Sequence, residues 1–565
     1  ATVFSPQHPT SYAVRIDMAN SRAATDPAGA AADFAKLDRE MIAWINREVG
    51  TAGDRIVAEA TRALADEMLY GYARLAEHEA SAVPAFADAV RRWPTIEDGK
   101  RDTLRKIARI IDPADTATHH LLKNGLRLSF EVQELLASGS DIDGGMNRLE
   151  QLRGIDARLN ERLAKLHVTP KAIEPPLPSP RQLLGSKEAL VSYFITRKWR
   201  ADRQSSDPLE DTVLYALVSR KDADPKLFNL GDPRLRNLGA EYQIARLRTA
   251  RASTESESAA VPATSKPGFA KLYTRLIAPL ESSLKDVSTL YIVPDGQLFA
   301  VPFPLLRDDA GVLIEDRYTL RMLTRPEALY GINETQKMPH GGVAVLAGGL
   351  DYRNGKEAGA EPLPATKSEI DDIAKVLGRN ETRIEMLTGE QATEPVLRKD
   401  VEAASIVHLA THGSYESEDT GGATGIDALW QSGVILSRSG DRRAMKRDDD
   451  DGRLYAFEVM DWDLSNIGLF VLSACETGRG QETFVGGLRG LPTAIGIAGA
   501  KRSLLALWPV DDLGTSRFMV RFYEKLVAGE TYPEALRKTR RDAINGNIEG
   551  ASDPSVWAAF VLFEN

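Results

Sequence analysis

The sequence predicts an α/β domain, built on a mostly parallel sheet flanked by helices and preceded by an all-helical N-terminal domain. Three observations carry this expectation. Apolar residues recur at helical spacing through about 33–167, prolines cluster at 170–180, and from about residue 284 short apolar runs alternate with amphipathic stretches. The last pattern is that of a parallel sheet with helices on its faces. The expected boundaries are 1–169 for the helical domain, 170–181 for a Pro-rich linker and 182–565 for the α/β domain. That domain divides at about 340 into an N-terminal subdomain and a second one, 341–565, that holds the chemistry.

In the first part, Val57, Ala60, Leu64, Met68, Gly71 and Leu75 follow the i, i+3, i+4, i+7 template. Leu104, Ile107, Ala108 and Ile111 do the same, as do Leu152, Ile155, Leu159, Leu163 and Leu166. Asp112-Pro113 reads as a stop and restart, with Asp as cap and Pro at a first helical position. No convincing self-similarity marks a repeat of about 30–45 residues, which leaves a degenerate helical-hairpin array open. Pro175, Pro176, Pro178 and Pro180 cannot sit in a helix and read as a stiff extended linker. Beyond them, 189–195 and 214–218 look like strands joined by polar loops, and 252–268 looks like a loop without apolar periodicity.

In the α/β part, the strand 290–293 is stopped by the turn Pro294-Asp295-Gly296, and the strand 343–347 ends at Gly348-Gly349. Thr366-Lys367-Ser368-Glu369 has the form of a capping box opening a helix to about Leu377. After the two strands that carry chemistry come an apolar run at 503–508, helices at about 515–527 and 533–544, and a last strand at 556–563.

Composition narrows the function. A chain of 565 residues exceeds one ordinary core, so two or three domains are expected. With 43% hydrophobic and 27% charged residues it reads as globular. A net charge of −10 argues against a nucleic-acid partner, which calls for a basic stripe. No run approaches the roughly 18 apolar residues of a membrane helix. Ala1-Thr2-Val3-Phe4-Ser5 lacks the pattern of a signal peptide, so no membrane partner and a cytoplasmic protein are expected. One cysteine, Cys475, excludes an intramolecular disulfide and a multi-cysteine metal site.

Two buried-strand runs carry the chemistry. Ile406-Val407-His408-Leu409-Ala410-Thr411 leads to His412-Gly413, and Leu469-Phe470-Val471-Leu472-Ser473-Ala474 leads to Cys475. A Cys/His pair at the C-terminal ends of parallel strands lies where open α/β sheets place their sites, and it suits a thiol nucleophile with a proton-transfer partner. Gly413 leaves a backbone N–H free to approach a carbonyl oxygen, and the N–H of Cys475 would be the second donor of an oxyanion hole. A plain turn at His-Gly and a buried small hydrophobe at Cys475 are the alternatives. His408, four residues earlier inside the apolar run, reads as a core histidine. Gly478 and Gly480 invite a dinucleotide reading, but Thr483 stands where that fingerprint needs Gly. No cofactor and no metal are expected.

With these motifs together the chain resembles the CHAT family of caspase-like cysteine peptidases, related to separase and the caspases. Ala410-Thr411-His412-Gly413 matches the His motif and Leu472-Ser473-Ala474-Cys475-Glu476-Thr477-Gly478 the Cys motif. Ser432-Gly433-Val434-Ile435-Leu436 and Asp451-Gly452-Arg453-Leu454 resemble the strand and turn between them. Ala498-Gly499-Ala500, Leu507-Trp508-Pro509-Val510-Asp511-Asp512 and Trp557-Ala558-Ala559-Phe560 match later signatures, and Val293-Pro294-Asp295-Gly296 with Val301-Pro302-Phe303 the entry segment. The resemblance covers roughly residues 180–565 and implies a caspase-like fold and hydrolysis of a peptide bond in a protein substrate. In it Cys475 attacks, His412 protonates the leaving amine, and the N–H groups of Gly413 and Cys475 hold the oxyanion. It also points to Asp512, with Asp511 beside it, as partner of a basic side chain before the cut. Either Asp equally suits a helix N-cap. Two loops, 414–428 and 438–453, are longer than the family pattern and could gate the cleft or decorate it. An activating or inhibitory protein partner is expected at the helical domain; the rival reading is an interaction scaffold without turnover.

Overall fold

The structure, a computed structural model, describes residues 9–48, 55–90, 179–198, 212–233, 266–332, 336–352, 362–415, 432–439, 452–459, 462–475, 491–508 without 493 and 497, 510 and 512–565, with a few positions between 121 and 161. They fall into two compact units: Ala1–Gln182 with Tyr193–Pro233, and Leu183–Ser192 with Arg234–Asn565.

In the first unit, α1 (Pro9–Arg22), α2 (Pro27–Glu48) and α3 (Arg55–His78) pack pairwise. Their apolar stripes meet in a core that includes Ile16, Phe34, Met41, Met68, Tyr72 and Phe86. Rings continue it: Phe34 stacks on Tyr72 at 5.4 Å, Phe86 meets Phe194 at 5.5 Å, and Phe194 stacks on Tyr215 at 5.4 Å. Phe194 lies in β1 (Glu188–Arg197) and Tyr215 in β2 (Thr212–Arg220), which forms an antiparallel hairpin with β3 (Ala223–Gly231). The Tyr215 hydroxyl donates to Glu77 Oε1 at 2.8 Å. The hairpin thus packs with the helices, although the sequence reading put everything after the proline stretch with the α/β domain. β3 lies beyond the strands that the sequence reading named; its polar side chains are mostly exposed and hide the pairing. The 104–111 periodicity, Asp112-Pro113 and Pro175, Pro176 and Pro178 lie outside the described residues.

The second unit opens with α4 (Lys266–Leu276), so the end of the expected 252–268 loop is helical; the rest of that stretch is not described. Its strands are β4 (Thr289–Val293), β5 (Thr319–Leu323), β6 (Val343–Leu350), β7 (Arg383–Gly389), β8 (Ile406–Tyr415), β9 (Ser432–Ile435), β10 (Arg453–Tyr455), β11 (Leu469–Cys475), β12 (Arg502–Ala506) and β13 (Phe560–Glu564). Strand order is β10-β9-β8-β11-β12-β13-β5-β4-β1, with β7-β6 joined to β8. The pairs of β6 with β7 and β8, of β11 with β8 and β12, and of β4 and β5 with their neighbours are parallel; β12–β13, β8–β9 and β9–β10 are antiparallel. This is the mostly parallel, helix-flanked sheet that the sequence predicts. Its helices include α5 (Pro364–Gly378), α6 (Glu394–Val401), α7 (Asp512–Val527) and α8 (Tyr532–Ile544), with α5 packed on β6, β7, β8 and α7.

Three local expectations change. β6 does not end at Gly348-Gly349 but passes through them to Leu350, with a register shift after Ala347; the glycines mark a bulge, not a stop. A methyl at Gly348 would lie 2.6 Å from the Thr366 carbonyl oxygen, so its absence lets α5 lie against β6. The expected last strand, 556–563, is a short helix, Pro554–Trp557, and then β13. β5 and β7 were not expected, because charged residues interrupt their apolar character.

Around the second long loop, the Leu436 N–H donates to the Gly452 carbonyl at 2.7 Å. Gly452 has φ 79°, and a methyl there would lie 2.4 Å from Ser439 Cα. Gly452→Ala is expected to cost about 1–3 kcal/mol from combined backbone strain and clash. Gly529→Ala, at a similar φ of 89° but in open space, should cost less. Urea midpoints of the two variants check this; equal losses would remove the clash from the account.

Candidate active site

β8, β11 and β12 are consecutive parallel neighbours, so their C-terminal ends lie at one edge of the sheet. Their apolar residues are buried, as expected of strands covered on both faces. The register runs from Leu469 opposite Ile406 to Cys475 opposite His412. Strand spacing sets these two backbone positions about 5 Å apart. For Cys475 the backbone position is what is described; 476–490 lie outside the described residues.

His412 is 9% exposed, and its ring lies 5.3 Å from that of Tyr352 at 58°. Tyr352 is buried, with its hydroxyl 3.0 Å from Thr411 Oγ1. Thr411 donates its own proton to the Ile435 carbonyl, so Tyr352 is the donor to Thr411. β8 was expected to end at His412-Gly413. It continues instead, with Gly413, Ser414 and Tyr415 pairing with Val434, Gly433 and Ser432 of β9. Asp511 is outside the described residues, and Asp512 is the first residue of α7, the helix that follows β12. The structure therefore brings His412, Gly413 and Cys475 together and leaves the carboxylates of Asp511 and Asp512 undescribed. Most of the two long loops, 416–431 and 440–451, is also outside the described residues.

His408 shares the His412 face by two-residue alternation and is 0% exposed. Its Nε2 lies 2.9 Å from Glu369 Oε1 and its Nδ1 lies 3.2 Å from the Tyr523 hydroxyl. Burial, reinforced by the charge of Glu369, pushes the Tyr523 hydroxyl well above its ordinary pKa. It therefore stays protonated. A carboxylate can only accept, so Nε2–H donates to Glu369, and in the neutral imidazole Nδ1 then accepts the Tyr523 hydroxyl. This network joins β8, α5 and α7.

Glu369 corrects the capping-box expectation. α5 begins at Pro364 after an N-cap, Leu363, that makes no side-chain cap bond. Thr366 Oγ1 instead accepts the Gly349 N–H at 2.9 Å and donates to the Leu363 carbonyl at 2.7 Å. Glu369 lies on the buried stripe with Thr366, Ile370, Ile373 and Leu377. A carboxylate on a core stripe, in a chain with a histidine inside an apolar strand, was the available signal that the two meet.

Among the described residues, no group of three His, Cys, Asp or Glu could hold a metal ion, and no helix is long and apolar enough to cross a membrane. The CHAT domain profile matches residues 266–565, more than half of the chain. The chain belongs to the CHAT domain family. The match starts later than the boundary expected at 182. The CHAT chain is 26% identical to mouse tetratricopeptide repeat protein 28 over 330 residues and 25% identical to the human protein over 334, in each case 53% of this chain. It spans only 13% of the length of those relatives. Two solved structures of the Saccharomyces cerevisiae separase–securin complex are similar over 94% of this chain and 40% of theirs, with 8% and 9% identity and TM-scores of 0.42 and 0.40.

Proposed function

We propose that this CHAT chain is a caspase-like cysteine endopeptidase with Cys475 as nucleophile and His412 as its proton-transfer partner. The observation that carries the reading is the register of Cys475 opposite His412 on adjacent parallel strands. Register partners on parallel strands share a pleat phase, so positions 412 and 475 belong to one face of the sheet. A thiolate is strongly nucleophilic at neutral pH. Its sulfur attacks the substrate carbonyl carbon while the N–H groups of Gly413 and Cys475 stabilise the oxyanion. The C–N bond breaks as His412 protonates the leaving amine; His412 then takes a proton from water, whose oxygen attacks the thioester carbonyl, and the C–S bond breaks to release the carboxyl product and regenerate the thiolate.

For specificity, Asp512, with Asp511 as the alternative, would pair with an Arg or Lys side chain before the cut, at the head of the helix that follows β12. The helical unit would receive an activating or inhibitory protein.

The test is cleavage of a peptide library varied at the residue before the cut, with wild type, Cys475→Ala and His412→Ala. Wild type should cut after Arg or Lys, Cys475→Ala should fall to background, and His412→Ala should lose about 10²–10⁴-fold in kcat. Wild type and Cys475→Ala equally inert, together with a Cys475 alkylation rate that ignores His412→Ala, would favour the scaffold reading. Cleavage after acidic residues alone would sink the Asp512 assignment.

A further inference from the structure

We infer that Tyr352 is a positioning residue for His412, an inference that rests on the Cys475–His412 reading. The ring of Tyr352 lies 5.3 Å from the imidazole at 58° and so limits how that imidazole can turn about its side-chain bonds.

Tyr352 is itself held from three directions. The Asp351 N–H before it donates to the Gly389 carbonyl at the end of β7 at 2.9 Å. The Asp351 carbonyl accepts the Arg438 N–H, from the turn after β9, at 2.9 Å. The Tyr352 hydroxyl donates to Thr411 Oγ1, which is anchored in turn on the Ile435 carbonyl of β9. The β6 bulge at Gly348-Gly349, fixed by Thr366, delivers the segment to this place. Three strands therefore fix the ring beside His412, and the hydroxyl is part of that anchorage. The ring is what acts on His412.

The variants are Tyr352→Phe, which keeps the ring, and Tyr352→Leu, which keeps an apolar group in the buried site without an aromatic face. On the preferred peptide, Tyr352→Phe should keep kcat within about three-fold, whereas Tyr352→Leu should lose at least about ten-fold with KM nearly unchanged, since misplacement of a proton donor acts on the chemical step. The second readout is the pH profile of Cys475 alkylation by iodoacetamide, unambiguous in a chain with one cysteine. The Tyr352→Leu profile should move toward that of His412→Ala, and the Tyr352→Phe profile should stay with wild type. If wild type and His412→Ala differ but Tyr352→Leu follows wild type in both kcat and profile, the Tyr352 inference falls alone. If wild type and His412→Ala coincide, the dyad reading falls and the role of Tyr352 falls with it.

Discussion

Glu564→Ala is expected to destabilise the second unit by about 3–5 kcal/mol, the range for breaking a buried ion pair from one side. Glu564 is 1% exposed in β13, the strand between β12 and β5. Its carboxylate serves both neighbours. Oε2 and Oε1 accept the fork of Arg321 in β5, from Nε and Nη2, both at 2.6 Å, and Oε1 also accepts Arg502 Nε in β12 at 3.2 Å. Arg502 is the direct cross-strand partner of Glu564 and lies 4.5 Å from the Tyr532 ring centroid; Arg321 also donates to the Tyr291 hydroxyl at 3.2 Å. Removing the carboxylate leaves two buried guanidinium groups facing each other across its place. Neither can escape by losing a proton. Arg321→Ala should cost less, because Arg502 still faces Glu564 and a carboxylate, unlike a guanidinium, can take up a proton. The order Glu564→Ala worse than Arg321→Ala, read from urea midpoints, is the discriminating result. A loss under about 1 kcal/mol for Glu564→Ala would mean that the packing, not the charge arrangement, holds these three strands.

The same cluster shows where sequence reading stops. The strands at 290–293 and 343–347, the two chemical strands and the run from 503 were legible because strands buried on both faces must be continuously apolar. β5 was not, because Arg321 in its middle makes sense only with Glu564, 243 residues away, to receive it. β3 and β7 carry exposed charged residues and hide for the related reason that edge positions need no apolar run. At the candidate site the residue types were legible and the register was not: nothing local in either strand puts His412 opposite Cys475. Tyr352 was invisible because a bulge, not a motif, brings it in. His408 was placed in the core from its apolar neighbours alone, but its partner Glu369 was taken for a cap, since Thr-x-x-Glu at a helix start and a glutamate on a core stripe look alike until the first helical residue is known.

His408→Leu should therefore be costly, by about 3–5 kcal/mol, because it leaves the buried Glu369 carboxylate without its Nε2–H donor and the Tyr523 hydroxyl without its acceptor. The loss belongs to the abandoned partners rather than to the histidine. Replacing all three, with His408→Leu, Glu369→Leu and Tyr523→Phe in one chain, removes every polar atom of the network at similar volume, and most of the loss should return. Urea midpoints of the single and triple variants measure this; a triple variant no better than His408→Leu would mean that the network's shape, not its polar satisfaction, is what matters. The triple variant also separates two roles for this strand. His408 lies four residues before His412 on one face of β8, so a chemical part for it would survive any repair of stability. A triple variant that is stable and keeps the wild-type pH profile of Cys475 alkylation confines His408 to the core. One that is stable but shifted toward His412→Ala means the buried Glu369–His408 pair sets the position of the proton-transfer histidine through the strand they share.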